Sequence, residues 1–572
     1  MRANTSLLRA YLGPQGLKVG ALAMLMFGYI GLELVNPLWL RQFIDEALAG
    51  APLSALQLIA VVFIVLTLVK QGLTTVASYL SEDVGFVATN ALRADLADHC
   101  LRLDMGFHHT HTPGELVERV DGDVATLADF FSSFVFSILG RCALVLGIMS
   151  LAFVADWRMG LLLLVFSLLV LVIARPLQAL VIPRFRAVRQ TSADLAGFLE
   201  ERLASTEDIR ANGAGPHVER ELGGVLRELL RRQRASKLAS RYFSSTLEVG
   251  VALAGAGVLT LGAVLLQGGS MTLGTVYLSF HYTTLLAQNL TSITLQLDRL
   301  QSAAAGYQRI SELYQRRPAI ADGPRDTPPG VLGVAFEAVS FDYTEGVPTL
   351  REVSFDLAPG EKLGVLGRTG SGKTTIARLL CRMYDVDRGT VRLGDVDVRE
   401  LRVADLRSRI GVVTQDVQVF HASVRDNITM FDAGVPDSRI EWAIAELDLA
   451  RWYATLPDGL DTVVAGGSHS LSAGEAQLLA FTRVFLQDPD IVVLDEASSR
   501  LDPATEQAIG GAVTRLLSGR TGILIAHRLD TVARADRIAV LEDGRVLEFG
   551  VRRDLVDDPA SRYSRLLAEA TA

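Results

Sequence analysis

Six apolar runs, each close to the length that crosses a lipid bilayer, lie in the first 300 residues of this 572-residue chain. A helix needs about 20 mostly apolar residues to cross hydrocarbon. The runs are Val19–Leu40, Leu56–Ala77, Phe131–Ala155, Gly160–Ala174 continuing to about Ile182, Val249–Gln267 and Leu273–Leu297. The sixth run is the least apolar. The sequence therefore predicts an all-α membrane domain with six spans.

Composition excludes several other classes of protein. With 49% apolar and 21% charged residues, the chain is neither disordered nor collagen-like, nor an ordinary soluble enzyme. A net charge of −9 argues against nucleic acid as a partner. The first apolar run is too long for a cleavable signal peptide, and no small-residue cleavage site follows it. Three scattered cysteines, Cys100, Cys142 and Cys381, do not form a disulfide framework or a zinc site, and we expect them to be buried.

Basic residues orient the spans. The connections after the first, third and fifth spans are short and carry few cations, whereas twelve Arg and Lys residues lie between Val181 and Arg241. The positive-inside rule places the long connections, both chain ends and everything after the sixth span in the cytoplasm. The long connections keep a helical apolar periodicity, so we expect the membrane helices to continue far into the cytoplasm. Each pair would turn where Gly, Pro and Asn cluster, around His111–Glu115 and Arg210–Pro216.

A second domain begins where the pattern changes. Short β-branched runs alternate with helical segments from Val334 onward, which is typical of an α/β domain with a largely parallel sheet. A Pro-, Gly- and Asp-rich stretch precedes it. We therefore predict a membrane domain over residues 1–316, a linker over 317–333 and an α/β domain over 334–572.

A complete P-loop pattern follows the predicted strand Lys362–Leu366 and precedes a predicted helix. Its glycines let backbone N–H groups approach phosphate oxygens, and the helix N-terminus adds positive potential. Lys373 would reach the β- and γ-phosphates, and the Thr374 hydroxyl would hold Mg²⁺. The residues expected to bind the nucleotide here are Gly367, Arg368, Thr369, Gly370, Ser371, Gly372, Lys373, Thr374 and Thr375.

Two further buried strands end in polar side chains. Ile491–Leu494 is followed by Asp495, which can bind Mg²⁺, and by Glu496, which is placed to polarise a water molecule against the γ-phosphate. Ile523–Ala526 is followed by His527, which we interpret as a γ-phosphate sensor because it accompanies the P-loop and the Asp–Glu pair.

With these motifs the chain resembles an ATP-binding cassette half-transporter of the exporter type. The resemblance implies a six-helix transmembrane domain with long cytoplasmic extensions, followed by an α/β P-loop ATPase domain. Two such halves would enclose two ATP molecules. It also implies that Tyr343 stacks on adenine and that Gln415 contacts Mg²⁺ and the attacking water. The segment from Ser499 to Asp502 resembles the D-loop, and the two predicted turns resemble the coupling helices of the family.

The signature sequence departs from the family pattern of Leu-Ser-Gly-Gly-Gln. Here it is Leu471-Ser-Ala-Gly-Glu475, so that Ser472 and Gly474 are kept as phosphate contacts and Glu475 introduces a carboxylate. Two interpretations stay open: the carboxylate repels ATP, or it folds back on the Ser472 backbone N–H in a capping box. An altered signature beside intact catalytic residues is common in heterodimeric exporters. The resemblance therefore favours a heterodimer over a homodimer.

Ionisable residues within the spans suggest a translocation path, because such residues tend to face a cavity. We expect Glu33 and Arg141 to form a structural or cavity charge pair. Lys70 and Arg175 lie near the cytoplasmic ends of their spans and could snorkel to the headgroups. Tyr277, His281, Thr284 and Gln288 fall on one face of the sixth helix, where they could line a path or bond to neighbouring helices.

The resulting prediction is a multi-pass protein of the cytoplasmic membrane that uses ATP and Mg²⁺ to export a small or amphiphilic molecule. Membrane lipid, a second half-transporter and the small-molecule substrate would be its partners. Two alternatives stay open, a siderophore-type importer on the same fold and a non-catalytic ATP-gated channel or regulatory subunit. Six apolar spans and the absence of a coiled-coil insertion exclude a DNA-repair ATPase.

Overall fold

The computed structural model describes residues 10–129, 135–464, 471–495, 503–526 and 529–571. It divides into two compact units. The helical unit takes in the chain up to Leu101 and Pro113–Arg316. The α/β unit comprises Arg102–Thr112 and Arg317–Ala572. The short segment Arg102–Thr112, which the sequence assigned to the membrane domain, therefore packs with the α/β unit.

Long helices dominate the first 316 residues. In chain order, the helices are α1 Gly16–Leu48, α2 Leu53–Arg102, α3 Met105–Thr110, α4 Pro113–Val117, α5 Val124–Asp129, α6 Val135–Ala155, α7 Trp157–Ala204, α8 Thr206–Ala211, α9 Gly215–Gln267 and α10 Leu273–Gln315. A π-helical turn, Glu118–Asp123, joins α4 to α5.

Five helices of the described residues are long and apolar enough to cross a membrane, namely those that contain α1, α2, α6, α7 and α9. The helix α10, which holds the least apolar of the six predicted spans, is not among them. The predicted cytoplasmic extensions are confirmed, because α7 and α9 run without interruption for 48 and 53 residues. The chain turns between them through α8 and Asn212–Ala214, within the region where Gly and Pro predicted a turn.

The core of the helical unit lies where α1, α6, α7, α9 and α10 pack together, around Ile148, Leu163, Tyr282 and Leu286. The Tyr282 hydroxyl donates to the Leu34 carbonyl over 2.8 Å, which satisfies a polar group within this core. Cys100 is buried, but the prediction is wrong for Cys142, which is exposed on α6. A thiol tolerates this position because the outside of a membrane helix faces lipid and not water.

The described residues of the α/β unit form three sheets. Its strands are β1 Val334–Thr344, β2 Val347–Leu357, β3 Lys362–Gly367, β4 Arg388–Leu393, β5 Val396–Asp397, β6 Ile410–Val413, β7 Ala422–Ser423, β8 Val463–Val464, β9 Ile491–Asp495, β10 Thr521–Ile525, β11 Arg537–Glu542 and β12 Arg545–Val551. The order of the largest sheet is β12-β11-β3-β10-β9-β6, and that of the second is β2-β1-β4-β5. A short pair, β7 and β8, forms the third.

The central strands are parallel and fully buried, as their apolar runs predicted. Every residue of β9 and of β10 is buried, and β10 pairs in parallel with both β3 and β9. Because parallel strands end at the same edge of a sheet, the residues after β3 and β9 come together there. The helices of this unit are α11 Lys373–Leu380, α12 Val403–Ser408, α13 Val424–Thr429, α14 Asp437–Glu446, α15 Ala450–Tyr453, α16 Ala473–Gln487, α17 Pro503–Leu517, α18 Leu529–Val532, α19 Arg552–Asp557 and α20 Arg562–Thr571.

Candidate nucleotide site and membrane polar residues

The loop between β3 and α11 folds as a phosphate cradle. Gly372, the residue before α11, has φ of +100°, a left-handed conformation that glycine adopts without strain. A side chain there would also strike Leu350. The buried ammonium of Lys373 folds back across the loop and donates to the carbonyls of Gly367 and Arg368, over 2.8 and 3.0 Å. The lysine therefore already lies inside the loop that would enclose the phosphates.

Ser371, in the same loop, has a side-chain hydroxyl whose hydrogen-bonding capacity is not satisfied. Its Oγ is buried and has no hydrogen-bond partner among the described residues. A buried hydroxyl without a partner is costly, which indicates that something outside the chain completes the site. A phosphate oxygen at the N-terminus of α11 would accept this hydrogen bond. The loop is thus fitted to a phosphate-bearing ligand by its backbone and by this side chain.

The predicted Mg²⁺ ligands from the two strands come together. The Thr374 hydroxyl donates to Asp495 Oδ2 over 2.9 Å, and Asp495 is buried at the carboxyl end of β9. Gln415, the third predicted ligand, lines the same cavity. Within the described ranges no cluster of three or more His, Cys, Asp or Glu residues could hold a metal by itself. A hydroxyl, a carboxylate and an amide are nevertheless the oxygen ligands that suit Mg²⁺ when phosphate supplies the rest.

A cavity of about 620 Å³ joins these residues. Nine of the predicted residues line it: Tyr343, Thr369, Gly370, Gly372, Lys373, Thr374, Thr375, Gln415 and Asp495. Arg378, Cys381 and Met383 also line it, and the sequence reasoning missed them. Helical spacing could have found two of them, because Thr374, Arg378 and Cys381 lie on one face of the helix. Burial raises the pKa of the Cys381 thiol to about 12, so the thiol is neutral at physiological pH.

Tyr343 is fixed in the wall of this cavity by its hydroxyl and by its aromatic neighbours. Arg378 Nη1 donates to the hydroxyl over 3.1 Å, and Thr375 Oγ1 lies 3.2 Å from it. Phe341 and Tyr384 lie nearly perpendicular to the ring, with centroids 4.9 and 5.2 Å away. The ring is thereby held in one orientation, as a stacking platform for a base requires.

The remaining predicted residues lie in three places. Gly367 and Arg368 line a neighbouring cavity of about 610 Å³ beside α20. Ser472, Gly474 and Glu475 begin α16. Glu496, His527, the D-loop-like segment 499–502 and the segment 465–469 before the signature lie outside the described residues.

Of the two interpretations left open for Glu475, the structure shows the capping box. Its Oε2 accepts hydrogen bonds from the Ser472 backbone N–H over 2.8 Å and from the Ser472 hydroxyl over 2.7 Å. In return, the Glu475 backbone N–H donates to Ser472 Oγ over 3.3 Å. The carboxylate therefore caps α16, but it also holds the proton of the hydroxyl that was expected to contact phosphate.

In the helical unit, the charge pairing differs from the prediction. Glu33 pairs with Lys70 of α2, with Lys70 Nζ 2.8 Å from Glu33 Oε2, and not with Arg141. Arg141 reaches Asn289 of α10 over 3.4 Å. The carboxylate of Glu33 therefore compensates the charge of Lys70 within the helical unit.

The polar stripe on α10 lies on the open side of that helix. Tyr277 and Gln288 are exposed and His281 and Thr284 are half-buried, whereas Leu278, Tyr282 and Leu286 are buried among the other helices. Tyr277 and His281 lie ring to ring, with centroids 6.4 Å apart. His281 is also within electrostatic range of Glu33 and Lys70. The stripe and the ion pair thus form one polar region on apolar helices.

Comparison with known proteins agrees with this arrangement. Residues 21–288 match the family described as ABC transporter transmembrane region, and residues 350–499 match the family described as ABC transporter. The chain is 30% identical to an ATP-dependent lipid A-core flippase of Photobacterium profundum over 556 residues, which covers 95% of this chain and 93% of that protein. It is 28% identical to ATP-binding cassette sub-family B member 6 of Mus musculus, over 95% of this chain and 66% of that one.

A solved structure shares the whole fold. A bacterial Atm1-family ABC exporter with ATP bound superposes with a TM-score of 0.82 at 24% identity, over 97% of this chain and 98% of that chain. Multiple apolar helices and these relatives make the chain a multi-pass membrane protein with a cytoplasmic ATP-binding domain. The chain belongs to the ABC transporters, as an exporter-type half-transporter whose ATPase is coupled to transport across the membrane.

Proposed function

We propose that this chain uses ATP and Mg²⁺ to export an amphiphilic molecule, with a polar region of its membrane helices contacting the cargo. The observation that carries the proposal is the phosphate cradle, where the buried Ser371 hydroxyl lacks a partner and Lys373 already lies across the loop. Export itself agrees with the exporter family to which the chain belongs.

Each residue of the cradle has a proposed role. Backbone N–H groups between Gly367 and Gly372 bind the phosphates, and Lys373 neutralises charge on the β- and γ-phosphates. Thr374, Asp495 and Gln415 would hold Mg²⁺, which neutralises charge on the phosphates when bound. Glu496 polarises the attacking water, and His527 contacts the γ-phosphate. Tyr343 stacks on adenine.

ABC exporters work as dimers, and we propose that the partner of this chain is a different half-transporter. The signature supports this proposal, because the Ser472 hydroxyl is engaged by the Glu475 carboxylate at 2.7 Å. A signature in this state is a poor phosphate ligand. A partner with an unaltered signature would complete the site that this chain's P-loop forms.

The class of cargo follows from the membrane helices. Glu33, Lys70, Arg141 and His281 give the polar region mixed charge within apolar surroundings. Such a surface suits a molecule with an apolar part and a charged or zwitterionic headgroup. Some relatives are named lipid A-core flippases, which supports a lipid-like cargo.

The test is ATP turnover by the purified chain in nanodiscs, beside Glu496→Gln and Lys373→Ala. If the partner is a different chain, this protein alone binds ATP with little turnover, and a partner with an intact signature restores turnover that Glu496→Gln abolishes. Full turnover by the chain alone would reject the heterodimer. Failure of the wild-type chain to bind ATP would reject the proposed site.

A further inference from the structure

We propose that His109 supports Tyr343 from the side away from the nucleotide cavity and so strengthens the stacking of a base on Tyr343. The inference rests on the proposed function, in which Tyr343 contacts adenine. It also gives the segment Arg102–Thr112, which connects α2 with the next helices of the helical unit, a direct contact with the base-binding residue.

The two rings lie nearly parallel. Their centroids are 5.9 Å apart and their planes meet at 19°, within the range of offset-stacked aromatic pairs. Phe341 and Tyr384 pack against the Tyr343 ring nearly at right angles, at 86° and 87°. The Arg378 guanidinium carbon also lies over the Tyr343 ring, 5.7 Å from its centroid.

Tyr343 lines the cavity together with Arg378 and Met383, and among the described residues that line it His109 is absent. A base that enters the cavity therefore meets the Tyr343 ring without displacing the imidazole. The result would be three layers: imidazole, phenol ring and base.

His109 is held in place by the short helix α3. Asp104 caps this helix by accepting from Phe107 N over 3.1 Å, and its other oxygen accepts from Ala319 N over 2.7 Å. The Tyr384 hydroxyl donates to the Met105 carbonyl over 3.4 Å. Since Tyr384 also packs against the Tyr343 ring, α3 is joined to the base platform at two points.

A Tyr343 ring that His109 already holds in one orientation binds a base better than a freely rotating ring, because the held ring loses less rotational freedom on binding. Conversely, a bound base strengthens the contact between Tyr343 and His109, since the two events are linked. The segment Arg102–Thr112 therefore responds to the base, whereas the P-loop responds to the phosphates.

The experiment measures ATP affinity of the full-length chain in nanodiscs without turnover, in the Glu496→Gln background. His109→Ala is expected to weaken ATP binding about two- to tenfold, the range measured for aromatic pairs. His109→Phe, which keeps a planar ring, is expected to restore it. His217→Ala removes an exposed histidine of α9 as the matched control and is expected to change nothing.

A second variant separates stacking from general damage to the fold. In the Tyr343→Ala background, His109→Ala is expected to have no further effect, since its action passes through the ring. A further loss there would mean that His109 acts on the fold at large, which overturns the inference. So would ATP affinity that is unchanged or tighter in His109→Ala alone.

If adenine does not stack on Tyr343, as the proposed function has it, the same experiment gives a different set of affinities. If Tyr343→Ala itself leaves ATP affinity unchanged, adenine does not stack on Tyr343, and both the assigned role and the inference are rejected. If Tyr343→Ala weakens binding and His109→Ala does not, only the inference about His109 is rejected.

Discussion

Glu475 Oε2 accepts hydrogen bonds from both the backbone N–H and the hydroxyl of Ser472, over 2.8 and 2.7 Å. The contact does two things at once. It satisfies the Ser472 backbone N–H group at the N-terminus of α16. It also places a negative charge beside the hydroxyl that contacts phosphate in the family. The change from Gln to Glu in the signature therefore keeps α16 capped, and we expect its charge to be unfavourable to an incoming triphosphate.

The first prediction concerns this charge. Glu475→Gln keeps a side chain that can complete the capping box and removes the carboxylate. Repulsion between two charges a few ångströms apart near a protein surface is of order 1 kcal/mol or more. ATP turnover by the chain alone is therefore expected to rise about fivefold, measured as phosphate release in nanodiscs, with an unchanged thermal unfolding temperature.

Glu441→Gln is the matched control for that variant. It removes an exposed carboxylate on α14 of the same unit, and it is expected to leave turnover unchanged. Equal turnover in Glu475→Gln and the wild-type chain would show that the carboxylate does not limit hydrolysis.

The second prediction concerns the ion pair Glu33–Lys70. Glu33→Gln or Lys70→Met alone leaves one charge unpaired among apolar helices, which is expected to cost about 1–3 kcal/mol and to lower the thermal unfolding temperature by several degrees. The double variant removes both charges and is expected to recover most of the loss. Intrinsic tryptophan fluorescence on heating measures all three.

Lys18–Asp83 provides the control, because it joins the same two helices at an exposed position over 2.5 Å. Lys18→Met is expected to cost less than about 1 kcal/mol. A double variant at Glu33 and Lys70 that is no more stable than the single ones would contradict the pairing.

Local features could be predicted from the sequence, because neighbouring residues determine them. The phosphate loop follows from glycines at fixed spacing after a strand, and the capping box from Ser and Glu three residues apart. The buried strands β9 and β10 follow from their unbroken apolar runs. Each depends on contacts within about ten residues of the chain.

Contacts between distant segments could not be predicted in the same way. The partner of Glu33 depends on which helices are adjacent and on how each is rotated, and neither hydropathy nor charge fixes that rotation. The contact of His109 with Tyr343 joins residues 234 positions apart. Cys142 was expected to be buried because apolar residues of soluble proteins are, but lipid reverses that rule on the outside of a membrane helix.

The third prediction concerns Asp123 and Arg309, which join the π-helical turn to α10. Arg309 Nε donates to Asp123 Oδ2 over 2.9 Å, and Nη2 contacts the other oxygen. Asp123 is buried, so Arg309→Ala leaves a carboxylate without its partner. We expect a loss of about 3 kcal/mol in unfolding free energy, and only partial recovery in Arg309→Lys, which cannot form the two-point contact.

Arg232→Ala is the comparison for that variant. Arg232 pairs with Glu228 one turn away on α9, where both side chains are half-exposed, and its removal is expected to cost less than about 1 kcal/mol. Equal losses of unfolding free energy in Arg309→Ala and Arg232→Ala would mean that the burial of Asp123 does not raise the cost of removing its partner.

The last prediction uses the thiol of Cys381 as a reporter of the nucleotide cavity. Burial raises its pKa to about 12, and only the thiolate reacts with maleimides. At pH 8 its labelling by N-ethylmaleimide, followed by peptide mass spectrometry, is therefore expected to be at least about tenfold slower than that of glutathione, and to accelerate as the pH rises toward 10. Because Cys381 lines the cavity, ATP is expected to slow it further, while exposed Cys142 is unaffected. Labelling at the rate of glutathione would contradict the burial of the thiol, and labelling that ATP does not alter would mean that the nucleotide lies elsewhere.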